Sequence, residues 1–129
     1  MRKGLIAAAG AMALVCGVTA SPVYAQARGE VGYARGALGY DALVAGDLRG
    51  AERQIASARG VAQDDPARLI NLAYIHMQTG RLASARALFE TVRDSRTHFM
   101  VELANGDAVD TRDVARRALA RMNRGYASR

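Results

Sequence analysis

From Leu38 onward the apolar positions return every three or four residues, which is the spacing of one helix face. Leu38, Ala42 and Ala45 share such a face until Gly46 and Asp47 stop the run. Leu48, Ala51, Ile55 and Ala58 form the next stripe, with Arg49, Arg53 and Arg59 turned toward water and Gly60 placed to fray the end. Asp64, Asp65 and Pro66 mark a new start, because an aspartate accepts from the orphan N–H groups of a helix and a proline suits its first turn. The third helix is expected from Pro66 to about Thr79, with Leu69, Leu72, Ala73 and His76 along one side and Gly80 closing it. A fourth follows from Arg81 to about Arg93 on Leu82, Ala85, Phe89 and Val92. Upstream, the frequent glycines between Gly29 and Gly39 blur the start of the first helix, since each costs about 1 kcal/mol against alanine in a helix interior.

After Arg96 the period changes. Phe99, Val101 and Leu103 alternate with Met100 and Glu102, and Asn105-Gly106 is a favoured pair for a tight hairpin turn. Two short strands are predicted, about Phe99 to Leu103 and Ala108 to Asp110. Asp110 or Thr111 then caps a last helix to about Asn123, with Asp113 placed to complete a capping box. Its apolar face is Val114, Ala115, Ala118, Leu119 and Met122; its other face carries Arg112, Arg116, Arg117, Arg121 and Arg124.

The two turn glycines, Gly46 and Gly80, set a common register, and a shift that carries one onto the other superposes the two helical pairs. Leu38 falls on Leu72, Gly39 on Ala73, Tyr40 on Tyr74, Leu48 on Leu82, Ala51 on Ala85, Ile55 on Phe89 and Ala58 on Val92. Small residues allow two antiparallel helices to approach closely, the glycine turns the chain, and the large apolar residues fill the space between hairpins.

These positions resemble the tetratricopeptide repeats (TPR): a small residue in the first helix (Gly39, Ala73), the turn glycine, a small residue early in the second helix (Ala51, Ala85), a bulky one after it (Ile55, Phe89), and Asp65-Pro66 between units. The interval between the glycines is also the length of one such repeat, about 34 residues. The resemblance spans about Gly32 to Arg96. It departs from the family at Arg35, where an aromatic is common, and at Ala42 and His76, where tyrosine is favoured. The expected fold is mostly α: the resemblance implies two TPR-like antiparallel hairpins (about 32–65 and 66–96), and the pattern beyond them adds a short β-hairpin (about 98–110) and a C-terminal capping helix (about 111–123). The function it implies is capture of a protein or peptide in a groove lined by the first helix of each hairpin. By that resemblance the groove side is Tyr40, Leu43 and Val44 from one unit and Ile70, Asn71, Tyr74 and Met77 from the next. With only two units, the N-terminal segment or the last helix is also a candidate to cover this surface, because stacked repeats need caps.

The beginning of the chain reads differently. Arg2 and Lys3 precede an apolar run from Leu5 to Val18, and "ASPVYAQA" follows with the small residues a signal peptidase requires. The expectation is a secretory signal over residues 1–25, cut after Ala25, with Ala20 as the alternative. The apolar run is too short for a bilayer core, which takes roughly 20 residues. Cys16, the single cysteine, lies inside it behind Leu14 and Val15, an unsuitable setting for lipoprotein acylation. The exported part is then one domain of residues 26–129, without a thiol and held together by packing alone, and its expected location is a bacterial periplasm.

Charge adds a second option. The formal +6 falls to +4 once Arg2 and Lys3 are gone, a mild excess that favours anionic partners. The arginine face of the last helix is most simply the solvated side of a cap. The alternative is a basic adaptor that meets an acidic protein, a lipid headgroup or a polyanion at the envelope, as surface contact without spanning. Nucleic acid is not expected, because no aromatic residues interleave with these arginines for base stacking. No catalytic motif stands out: there is no HExxH, glycine-rich phosphate loop or GxSxG. His76 is expected as a packed imidazole with a bonded nitrogen, His98 as a surface residue, and Asp64-Asp65 as capping carboxylates. The reading is therefore a non-catalytic interaction protein with no cofactor or metal, whose partner is a protein, a peptide or a second copy of itself.

Overall fold

The computed structural model describes residues 23–24, 33–34, 36–103 and 105–127. Residues 1–22, most of the predicted signal segment, lie outside the described residues, as does Arg35. In chain order the elements are β1 (Val23–Tyr24), α1 (Tyr40–Val44), α2 (Leu48–Ser57), α3 (Pro66–Gln78), α4 (Leu82–Asp94), β2 (Met100–Leu103), β3 (Ala108–Asp110) and α5 (Thr111–Ala127). The chain is mostly helical, with a small antiparallel sheet between the second helical pair and α5.

The two turns at Gly46 and Gly80 are closed by matching backbone hydrogen bonds. Gly46 donates to the Leu43 carbonyl at 3.1 Å and Asp47 to that of Ala42 at 2.8 Å; at the matching positions of the second unit, Gly80 donates to Met77 at 3.2 Å and Arg81 to His76 at 2.8 Å. Both glycines sit at positive φ, 76° and 77°. This pair of reversed bonds satisfies the last carbonyls of a helix, and its left-handed residue is one that glycine supplies without a Cβ penalty. Side-chain caps start the following helices at α2 and α3, where Asp47 accepts from the Gly50 N–H at 2.8 Å and Asp65 from the Arg68 N–H at 3.0 Å.

Helix α1 is shorter than the apolar pattern predicted. It begins at Tyr40, because Gly39 has φ 67° and interrupts the helix. A Cβ at Gly39 would lie 3.0–3.2 Å from backbone and side-chain atoms of Ala51, so the residue allows α1 and α2 to touch. Leu38 is nonetheless buried. The last helix is longer than predicted and continues through Gly125. Asp110 caps its start as expected, accepting from the Arg112 N–H at 2.8 Å, but Asp113 pairs with Arg116 rather than completing a capping box.

Two core clusters result. The smaller joins α1, α2 and one side of α3 through Ala42, Leu43, Ala51, Ile55 and Ile75. The larger gathers Ile70, Ala73 and Met77 of α3, Ala85, Phe89 and Val92 of α4, Val101 and Val109 of the hairpin, and Val114, Ala115, Ala118, Leu119 and Met122 of α5. The terminal helix thus lies on the second helical pair rather than projecting beyond it.

Candidate functional site

The surface that the TPR resemblance assigns to a peptide is largely closed. Ile70 and Asn71 have no exposed area, Met77 retains 9 % and Leu43 7 %. Tyr40 and Tyr74 are half-buried, and only Val44, at 61 %, is open to solvent. This corrects the expected groove: Ile70 and Met77 share their cluster with the apolar face of α5, and Asn71 donates through Nδ2 to the Leu38 carbonyl at 2.9 Å. Ile70, Asn71 and Met77 therefore serve packing, while Tyr74 keeps part of its surface. Burial also raises the pKa of the Tyr74 phenol.

The five arginines of the last helix do not form one free surface. Arg116 is ion-paired with Asp113, and Arg112 donates from Nη2 to His98 Nε2 at 3.0 Å. Arg117 and Arg124 are exposed and Arg121 is half-buried. His98 is on the surface as expected, but it is held on both ring nitrogens, since Nδ1 lies 2.6 Å from Asp110 Oδ2. A guanidinium can only donate, so Nε2 accepts and Nδ1 carries the proton toward the carboxylate. Desolvation raises the Asp110 pKa, but the bonds from His98 and the Arg112 N–H and the Arg112 charge outweigh it, and the net direction is down. Nothing in the sequence pattern announced this chain of contacts, because the turn brings together residues 12 and 14 apart that share no periodic face.

A second set of contacts ties the helical pairs together. Arg81 grips Glu52 with two parallel bonds, 2.8 and 3.0 Å, and its Nε donates to Thr79 Oγ1. The bond from Arg81 holds the Glu52 carboxyl below its usual range. His76, one turn away, is half-buried and its Nδ1 has no hydrogen-bond partner, contrary to the bonded imidazole expected. Burial, reinforced by Arg81 and opposed by Glu52, lowers its pKa. Tyr33 donates to Asp65 Oδ2 at 2.7 Å, and burial together with that acceptor pushes the phenol pKa far up.

Arg68 is the least expected of the charged residues. It is 5 % exposed, yet neither Nε nor Nη1 has a hydrogen-bond partner. A shallow cavity of about 440 Å³ between Ala34, Gly36 and Ala37 and the end of α2 is lined also by Gln54, Ser57 and Arg59. Its serine hydroxyl is bonded to the Gln54 carbonyl, and among the described residues that line it there is no His, Asp or Glu to act as a base. Among the described residues no three His, Cys, Asp or Glu side chains converge to hold a metal ion, and no helix is long and apolar enough to cross a membrane. No family model matches this chain, and comparison with curated proteins and with solved structures found no match.

Proposed function

We propose that the chain is exported through a leader removed after Ala25, and that the remainder is a TPR-type interaction module of the cell envelope. In this reading it holds a protein or peptide partner and performs no reaction of its own. The supporting observation is the matched pair of turns: the same two reversed hydrogen bonds at Gly46 and Gly80, one repeat apart, followed by buried Ala51 and Ala85 and buried Ile55 and Phe89. Because Ile70, Asn71 and Met77 are buried, the part of the predicted groove left for a partner is Tyr40, Val44 and Tyr74.

The test is affinity capture from envelope extract with the intact protein and two variants. Tyr40→Ala with Val44→Asp is expected to remove the captured partner, whereas Arg116, Arg117 and Arg121 to Ala is expected to leave it. The reverse outcome, together with loss of capture at 1 M salt where the Debye length is about 3 Å, supports the basic-adaptor reading. Exposed Arg117 and Arg124 are what favour that second reading. Capture unaffected by either variant overturns both surfaces.

A further inference from the structure

The sheet is built in the order β1-β2-β3, so β2 is its middle strand. One neighbour, β3, is joined to it by the Asn105-Gly106 turn. The other is only two residues long and comes from the far end of the chain, with Val23 across from Leu103 and Tyr24 across from Glu102. Val23 and Tyr24 lie inside the segment that the export reading removes. Cleavage after Ala25 takes away the whole strand.

The hydrogen bonds show what such removal uncovers. Leu103 uses both backbone groups toward the hairpin, its N–H donating to Asp107 and its carbonyl accepting from Gly106, each at 2.8 Å. Phe99, four residues earlier, turns the same way, its carbonyl accepting from the Thr111 N–H at 3.0 Å. Along an antiparallel strand the direction of these groups alternates, so those of Glu102 and Met100 face the opposite edge, where β1 lies. Removing β1 takes away the strand that runs along Glu102, the residue across from Tyr24. The Met100 side chain beside them is already 62 % exposed, one of two large hydrophobic residues so open among those described.

We propose that this edge of β2 is a strand-accepting site. In the precursor it is filled by the leader's own Val23–Tyr24, and in the mature protein by an extended segment of a partner polypeptide laid antiparallel along it. This rests on the export reading above and gives its partner a shape. The faces of the sheet set the chemistry of the incoming strand. Phe99, Val101 and Leu103 share one face and pack against the larger core, so the residue opposite Leu103 is apolar. The next residue, opposite Glu102, lies on the outer face and is aromatic or polar. The main-chain bonds supply affinity and the alternating side chains supply selectivity.

The experiment begins with the exported protein as cells make it. Its intact mass is expected to show a chain starting at Gln26. A synthetic peptide of residues 21–26 is then added, and backbone amide exchange at Glu102 is followed. The peptide is expected to slow that exchange at least about tenfold, and the same peptide with Val23→Asp is expected to have no effect. A mature chain starting at Ser21, or one that is not cut, overturns the proposal because β1 then stays in place; so does exchange at Glu102 that the peptide leaves unchanged. Glu102→Pro removes the outward N–H without touching the bonds to β3, and its loss of peptide binding with unchanged thermal unfolding is the expected result. Capture of a partner that survives this variant leaves the interaction reading standing and removes the edge from it. Protection of Glu102 by the peptide in a protein that captures nothing at Tyr40 and Val44 does the opposite.

Discussion

The two helical pairs share a turn and a register but not an environment. In the second pair both helices are 13 residues long; in the first, α1 has 5 residues and α2 has 10. Ile75 is fully buried against the first pair, while its counterpart in the first unit, Asp41, is exposed. Ile70 is likewise buried where the first unit has Gly36. Among the described elements the second pair has a neighbour on each side, the first pair and α5, and the first pair packs chiefly on the second. The two pairs therefore share the residues that build a hairpin and differ in those that answer to its neighbours.

The largest test of this difference is truncation of the paired bulky residues. Phe89→Ala is expected to cost about 4 kcal/mol, because it empties the large cluster shared by α3, α4 and α5, and Ile55→Ala about 3 kcal/mol in the smaller one. Denaturant titration of both variants checks the order, and a larger loss at Ile55 would mean that the first pair carries more of the stability than its burial indicates. Gly39 and Ala73 come next. Gly39→Ala is expected to lose about 2 kcal/mol through positive φ and the approach to Ala51, whereas Ala73→Gly loses only about 1 kcal/mol of helix propensity. Equal losses would show that the short α1 is not a consequence of Gly39.

Arg68 has no counterpart in the first unit among the described residues, since Ala34 stands at its register position and is exposed. Arg68→Met is expected to stabilise the protein by about 1 kcal/mol, because it replaces a buried guanidinium with unpaired nitrogens by a chain of similar length. A lower melting temperature in this variant would reveal a partner for the guanidinium. The smallest effect is expected at His76, whose register mate is Ala42. Its pKa is lowered on folding, so the folded state resists protonation and stability falls as pH drops below the ordinary histidine value of 6.5. The difference in melting temperature between the protein and His76→Gln is therefore expected to change between pH 7.5 and pH 5, with the native protein losing more. An unchanging difference contradicts the lowered pKa.

What was legible in the sequence is what local chemistry dictates. The turn glycines, the Asp65-Pro66 start of α3, the burial of Ala51, Ala85, Ile55 and Phe89, and the strand Ala108–Asp110 all follow from residues close in the chain. Apolar spacing marked one side of α3, Leu69, Leu72, Ala73 and His76, and the resemblance assigned Ile70, Asn71, Tyr74 and Met77 to a groove, but neither says which neighbour covers each side. Ile70 and Met77 read as well for a groove as for a seat under α5. Arg68 escaped notice because a long charged side chain on a helix is ordinarily a solvated one. The contacts of His98 with Asp110 and Arg112 depend on how a turn closes, and Val23–Tyr24 satisfied a protease pattern and a strand equally well.

The pairing of β1 with β2 also has a timetable. Leu103 is made about 80 residues after Val23, so at synthesis rates of about 5–20 residues per second the first strand waits several seconds for its partner to exist. Whatever recognises the beginning of this chain in that interval competes with no sheet. Anything that arrives after β2 has formed must first displace it.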